Sequence, residues 1–215
     1  MIIFGRIDYL NLLPFYIFLK RFYPRVLQCA NFKKGAPSEI NRLYKRRKID
    51  AGFISSIKSR RQKGTKLGVI ARSAVTSVLV LEGDFAEDSE SDTSNALARL
   101  LGLKGRVAIG DKALKLYLDG AKAVDLALEW QARYKMPFVF SRLCYTSQDR
   151  QIRKMERLFL RRFTRRAPSY ILLKWASERR IEPQAIKEYL NKLEYRLDLR
   201  AARALNKFLF LTRRQ

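Results

Sequence analysis

Hydrophobic positions along the first third of the chain recur at two different periods, and the switches between those periods mark out the elements. Ile2, Ile3, Phe4 and Ile7 make a short apolar run, as in a strand covered on both faces. Residues 12–22 repeat at helical spacing, with Pro14 in the first turn, where its missing N–H does no harm. Residues 26–32 form a second candidate strand. Pro37, Ser38 and Glu39 open a helix running to residue 47, with Ile40, Leu43 and Tyr44 on one face. Residues 49–54 hold no charge after Asp50, again the pattern of a buried parallel strand. Ser55 and Ser56 end that strand and are placed to cap a following helix. Two more strands fall at 67–70 and 75–81. This alternation predicts an α/β fold with a parallel sheet.

The stretch 83–92 is acidic and reads as an exposed, mobile loop. Asp92, Thr93, Ser94 and Asn95 offer several caps for a helix over 96–101. A strand at 105–109 ends in Gly110 and Asp111, helices follow at 113–118 and 124–134, and 137–143 is an aromatic, β-branched strand. Beyond Ser147 the period is helical only, with breaks near Pro168 and Pro183. In this tail, 150–166 combines clustered bases with Ile152, Met155, Leu158, Phe159 and Phe163 at helical spacing. That pattern predicts an amphipathic helix that buries its stripe and solvates its bases; a helix laid on nucleic acid or anionic lipid is the alternative.

Composition narrows the chemistry. The chain has 215 residues, 47% hydrophobic and 12% aromatic, which excludes wholesale disorder. Lys and Arg number 45 against 20 Asp and Glu, for a net charge of +25. Such a field favours anionic partners, whether nucleic acid, an acidic membrane or small carboxylates, and it equally suits a basic solvated surface. The chain contains no histidine. That excludes a Ser-His-Asp or Cys-His nucleophile, an imidazole base and a His-ligated metal. Cys29 and Cys144 are too few for a Cys₄ site and are expected as small buried hydrophobes in a reducing cytoplasm. The apolar stretch 10–19 is interrupted by Asn11 and Pro14 and is too short to span a bilayer, so no membrane insertion is expected.

In a parallel α/β sheet, ligands bind beyond the carboxyl ends of the strands, near helix-start N–H groups. Four polar clusters fall at such ends: Tyr9-Leu10-Asn11, Ser55-Ser56, Thr93-Ser94 and Gly110-Asp111. Hydroxyls, an amide and helix N-termini in a positive field suit a small polycarboxylate.

Several motifs resemble those of the menaquinone-biosynthesis chorismate dehydratases. They run Ile7-Asp8-Tyr9-Leu10-Asn11-Leu12-Leu13-Pro14, then Ile49-Asp50-Ala51-Gly52-Phe53-Ile54-Ser55-Ser56, then Thr76-Ser77-Val78-Leu79-Val80. Thr93-Ser94-Asn95-Ala96-Leu97, Ile109-Gly110-Asp111-Lys112-Ala113-Leu114, Asp125-Leu126 with Trp130, and Pro137-Phe138-Val139-Phe140 follow in the family's order. The resemblance implies a two-lobed, periplasmic-binding-protein-like (type II) α/β fold with parallel or mixed sheets and a helical C-terminal tail. Lobe I would hold 1–75 and 144–215, and lobe II 76–143, with crossings near 73–77 and 140–144. It implies loss of water from chorismate to give 3-[(1-carboxyvinyl)oxy]benzoate, the first step of the futalosine route, without metal or cofactor. By motif, Asn11 and Ser77 are the residues tied to catalysis. Ser55, Ser56, Thr93 and Ser94 are the implied carboxylate binders, Asp111 is an alternative base, and the substrate's own side-chain carboxylate is another proton acceptor. The implied partner is a small molecule, with no specific nucleic acid. A non-catalytic carboxylate-binding protein on the same fold, or a basic nucleic-acid binder, remain the competing readings.

Overall fold

The computed structural model describes residues 2–22, 31–164 and 166–213. Cys29 and most of the strand expected at 26–32 lie outside the described residues. Strand β1 (Ile3–Arg6) leads through a 3₁₀ turn (Leu10–Leu12) into α1 (Leu13–Phe22). Then come β2 (Asn31–Lys34), α2 (Pro37–Lys45) and β3 (Ala51–Ser55), with β1 parallel to both β2 and β3. Helix α2 lies so close to β1 that a side chain at Gly5 would meet Ile40 at 2.8 Å.

A short 3₁₀ turn (Ser56–Lys58) and β4 (Gly64–Ala71) follow, and the chain then passes through 72–77 into a second sheet. That sheet is built from β5 (Val78–Leu81), α3 (Asp92–Leu101), β6 (Arg106–Ile109), α4 (Gly110–Leu118), β7 (Ala123–Asp125) and α5 (Leu126–Tyr134). Strand β8 (Phe138–Tyr145) returns to the first sheet. The tail comprises α6 (Asp149–Arg162), α7 (Ser169–Arg179), α8 (Pro183–Asn191), β9 (Leu193–Arg196) and α9 (Leu199–Leu211). The strand orders are β2-β1-β3-β8-β4-β9 and β6-β5-β7. No helix among the described residues is long and apolar enough to cross a membrane.

The structure departs from the sequence expectations in several places. Among the described strands, β2-β1-β3 pair in parallel, whereas β8 runs antiparallel to both β3 and β4, and β5 runs antiparallel to both β6 and β7. Strand β5 fills the gap in a β6-α4-β7 unit, and hydrophobic period carries no strand direction. Residues 138–143, expected in the second lobe, are the middle of the larger sheet, with Ile70 paired to Val139 and Ala71 to Phe138. The buried residues at both ends of this strand suit that central place. The tail is not wholly helical, because Leu193 and Tyr195 face the core from edge strand β9. The acidic loop is partly buried: Asp88 is 5% exposed, its N–H donates to Asn95 Oδ1 (2.9 Å), and Lys112 pairs with its carboxylate at 2.8 Å.

One apolar core runs through both sheets and the tail. Phe15 meets Phe53 and Phe159 edge-on or tilted at 5.0 and 5.5 Å, which clamps α1 and α6 onto β3. Thus the stripe of α6 is a core face, with Ile152, Met155 and Phe159 buried while Arg150, Arg153, Lys154, Arg157 and Arg161 stay in solvent.

Asp198 ties the tail to β4: it caps α9 through Ala201 N–H (2.7 Å) and accepts from Arg72 Nη2 (2.7 Å). Those two bonds, the cap first, hold its carboxyl below the ordinary carboxylate range. Its stabilising effect is therefore complete above the unfolded value of about 3.9 and disappears as pH falls through the lower folded value. Asp198→Ala is expected to lower stability by about 1 kcal/mol at pH 7. In urea melts taken from pH 7 to 3, the gap from the parent chain should narrow towards the acid end.

Candidate functional site

The carboxyl ends of β1, β3 and β6, the first crossing and helix α8 enclose a cleft of about 60 Å³. Asn11, Ser55, Ser77, Thr93 and Ser94 all line it, together with Tyr9, Ser91, Gly110, Ser141 and Tyr189. Apolar walls come from Ile7, Phe53, Val69, Val75, Ile109 and Phe140. No charged side chain is among these lining residues.

Asn11 sits in the 3₁₀ turn after β1. Its main-chain carbonyl accepts from the Tyr195 hydroxyl at 2.6 Å, which anchors the turn to β9. Its side-chain Oδ1 is buried with no hydrogen-bond partner. A buried acceptor left unpaired loses about 1–3 kcal/mol relative to a paired one, so this oxygen is poised for a donor on a ligand.

Ser77 is held by the crossing that leads into β5. Asp125 Oδ2 accepts from Val75 and Thr76 N–H at 2.8 and 2.6 Å, while its Oδ1 caps α5 through Ala127 and Leu128. Thr76 has φ +62°, strained for a β-branched residue. Ser77 carbonyl accepts from Gly110 N–H at 2.9 Å, and its Oγ lies 3.0 Å from the Tyr189 hydroxyl.

On the opposite side the hydroxyls are interlocked. Asn41 Nδ2 donates to Ser55 Oγ (2.7 Å) and to Asp92 Oδ2 (2.7 Å), and Asn41 Oδ1 accepts from Ser55 N–H (3.0 Å). Ser91 caps α3 by accepting from Ser94 N–H (3.1 Å), and its own hydroxyl donates to Ser94 Oγ (2.8 Å). Thr93 Oγ1 accepts from Ile57 N–H at 3.3 Å. The Tyr9 hydroxyl donates to Glu90 Oε2 at 2.5 Å, and burial first, then Glu90, pushes the phenol well above its ordinary range.

Two expected residues stand apart from the cleft. Ser56 begins the 3₁₀ turn, so its Oγ turns away and donates to Val139 carbonyl at 2.5 Å. Asp111, one residue beyond Gly110, points at the back of the Asn11 turn: Oδ1 accepts from Leu10 N–H (2.9 Å) and Oδ2 pairs with Arg179. Burial raises its carboxyl above the ordinary range against the pull of both partners. Its place is that of a brace between α4, α7 and the Asn11 turn, not of a base facing the cleft. Cys144 is a buried thiol, its pKa pushed up to about 12 by burial. Tyr189, Asn41 and Asp125 were missed as site residues; Asp125-Leu126 was part of a motif, but nothing local ties it to Thr76.

Gly110 opens α4 at φ +68°, and a side chain there would meet the Tyr9 ring at 2.7–2.9 Å. Gly102 has a similar φ of +71° with open space around it. Gly102→Ala should therefore lose about 1 kcal/mol from backbone strain alone, and Gly110→Ala clearly more. Thermal melts of the two variants measure the difference that the Tyr9 contact makes.

Comparison with known proteins shows the family and the fold. A family profile for menaquinone biosynthesis matches residues 2–106 and 102–214. The chain is 40% identical over 216 aligned residues to a chorismate dehydratase of Campylobacter jejuni subsp. jejuni serotype O:23/36 (strain 81-176), covering 96% of this chain and 95% of that protein. In fold it is similar to a crystal structure of an Archaeoglobus fulgidus protein, with TM-score 0.66, 14% identity and coverage of 99% and 97%. It is also similar to the alkanesulfonate-binding protein SsuA of Xanthomonas axonopodis pv. citri bound to MOPS, with TM-score 0.54, 12% identity and coverage of 99% and 93%. Built on a periplasmic-binding-protein-like α/β fold, the chain belongs to the menaquinone-biosynthesis family.

Proposed function

We propose that this chain is a lyase of the cytoplasm that dehydrates chorismate to 3-[(1-carboxyvinyl)oxy]benzoate, the step that opens the futalosine route to menaquinone. The observation that carries the reading is the buried, unpartnered Asn11 Oδ1. An orphan acceptor calls for a ligand that donates, and a carboxylate cannot donate. Chorismate carries one alcohol, and that hydroxyl is the group the reaction removes. The identity to a named chorismate dehydratase across nearly the whole chain supports the same reading.

In this reaction the ring carbon bearing the enolpyruvyl ether loses a proton and its neighbour loses hydroxide. The C–H electron pair becomes a ring double bond, and the C–O pair leaves with the oxygen, which takes up a proton as water. Aromaticity supplies the driving force. What the protein adds is orientation and hydrogen bonding to the charge that develops. Asn11 Oδ1 accepts from the substrate hydroxyl and fixes its direction. Ser77 donates to that oxygen as the C–O bond lengthens. Ser55, Thr93 and Ser94 hold carboxylate oxygens from the opposite wall. Asp111 is engaged by Arg179 and Leu10, and the family resemblance implies the substrate's own side-chain carboxylate as the acceptor of the ring proton.

Incubating the purified chain with chorismate, followed by liquid chromatography with mass detection, tests the proposal. The expected product is lighter by one water and absorbs as an aromatic. Asn11→Ala should fold normally and lose turnover by about 10²–10³-fold, the scale of one lost hydrogen-bonding group at a reacting centre. Chorismate binding without turnover by the unaltered chain would mark a carboxylate-binding protein instead.

A further inference from the structure

The sequence pattern of the tail predicts helices alone, yet its side chains reach the two residues on which the proposed chemistry depends. Tyr189 of α8 meets Ser77 Oγ at 3.0 Å. Lys192, one turn later, donates to Thr76 Oγ1 at 3.4 Å. Tyr195 of β9 donates to the main-chain carbonyl of Asn11. These tyrosines are not alike. Tyr195 bonds a main-chain group, as does Tyr16, whose hydroxyl accepts from Ile7 N–H. Such bonds hold the backbone in place. Tyr189 instead spends its hydroxyl on a side-chain oxygen that lines the cleft, and it lines the cleft itself while only 2% exposed.

The donor and acceptor roles follow from the chemistry. Burial, the largest influence, pushes the Tyr189 phenol far above its ordinary range, so it stays protonated and keeps a hydrogen to give. A phenol is a stronger donor than an aliphatic alcohol. With Ser77 Oγ accepting from it, the serine hydrogen is left to point at a ligand. The accepted bond also polarises the serine O–H and strengthens it as a donor. Reversing the bond would turn the serine hydrogen towards the tail and leave only lone pairs facing the departing hydroxyl.

We infer that Tyr189 is a positioning residue of the dehydration, donating to Ser77 Oγ so that Ser77 presents its own hydrogen to the leaving hydroxyl; the inference rests on the dehydratase reading above. Tyr189 does not touch the reacting atoms. It acts through Ser77, and that makes it separable from a merely structural tyrosine.

The test is a double-mutant cycle on the full chain with chorismate, comparing the parent, Ser77→Ala, Tyr189→Phe and the double variant. Tyr189→Phe is expected to lower kcat about tenfold with KM within about twofold, the scale of one hydrogen bond. In the Ser77→Ala background the same change should move kcat less than about twofold, because the bond it removes is already absent. Should Ser77→Ala be too slow to follow, calorimetric titration of Ser77→Ala and of the double variant with chorismate replaces kcat, with matching affinities expected. Equal falls in both backgrounds, an affinity lost only in the double variant, or an unchanged kcat in Tyr189→Phe would each overturn the inference while leaving the dehydratase reading intact. Absence of turnover by the parent chain would overturn that reading itself and the inference with it.

Discussion

Asp125 holds Thr76 in a left-handed conformation that a β-branched residue ordinarily avoids, at a strain of about 1–3 kcal/mol. Its carboxylate serves two elements at once. One oxygen caps α5 and the other takes the two N–H groups of the crossing. Asp125 is itself fixed, because it closes β7 and pairs with Leu79 of β5. The crossing is therefore clamped to the sheet it enters, one residue before Ser77. Replace the clamp with solvent and Thr76 is free to relax, carrying Ser77 away from Gly110 and Tyr189. The direction of β5, the place of the serine and the reach of the tail all follow from this contact.

A chain with a net charge of +25 encloses a cleft whose described lining is uncharged. Several ionic groups around the cleft are paired with one another: Lys112 with Asp88 and Glu90, and Arg179 with Asp111. On the proposed reading this division has a reason. A fixed cation would bind the carboxylates equally in substrate and transition state, which deepens binding without speeding the reaction. Hydroxyls and an amide gripping the departing oxygen act where charge changes. The positive exterior still gathers anions from solution, and so it bears on encounter while the neutral interior bears on chemistry.

Much of the fold was legible because burial leaves a local trace. Residues 49–54 read as a covered strand since both faces of β3 are buried. Helices at 12–22 and 37–47 were visible from apolar spacing and from Pro14 and Pro37. Strand β7 was not, because its three residues are only partly covered and run straight into the helical period of α5. Strand β9 hid between two helices for the same reason of length. The site was legible as motifs, not as geometry. Ser55 and Ser56 are neighbours in sequence but leave the strand in different directions, one to the cleft and one to Val139. Gly110 and Asp111 divide in the same way. Tyr189 left no local signal at all, since it lies 112 positions from Ser77 and only the closed fold brings them together.

The cleft lies between the two sheets, so on the proposed reading a six-membered ring enters as the sheets part. The polar contacts that span the mouth suit such movement. Tyr9 and Ser38 N–H both hold Glu90, and each bond can be exchanged for water at a small net change in free energy. The crossing at Thr76 is the opposite case, strained, clamped and deep. Points near a pivot move least when two bodies rotate about it. Ser77 and its partners Tyr189 and Gly110 lie beside that pivot, whereas Thr93 and Ser94 line the opposite side of the cleft. Opening would then swing the carboxylate-binding wall while the reacting end keeps its geometry. A rigid crossing is what lets one chain be mobile enough to admit its ligand and ordered enough to act on it.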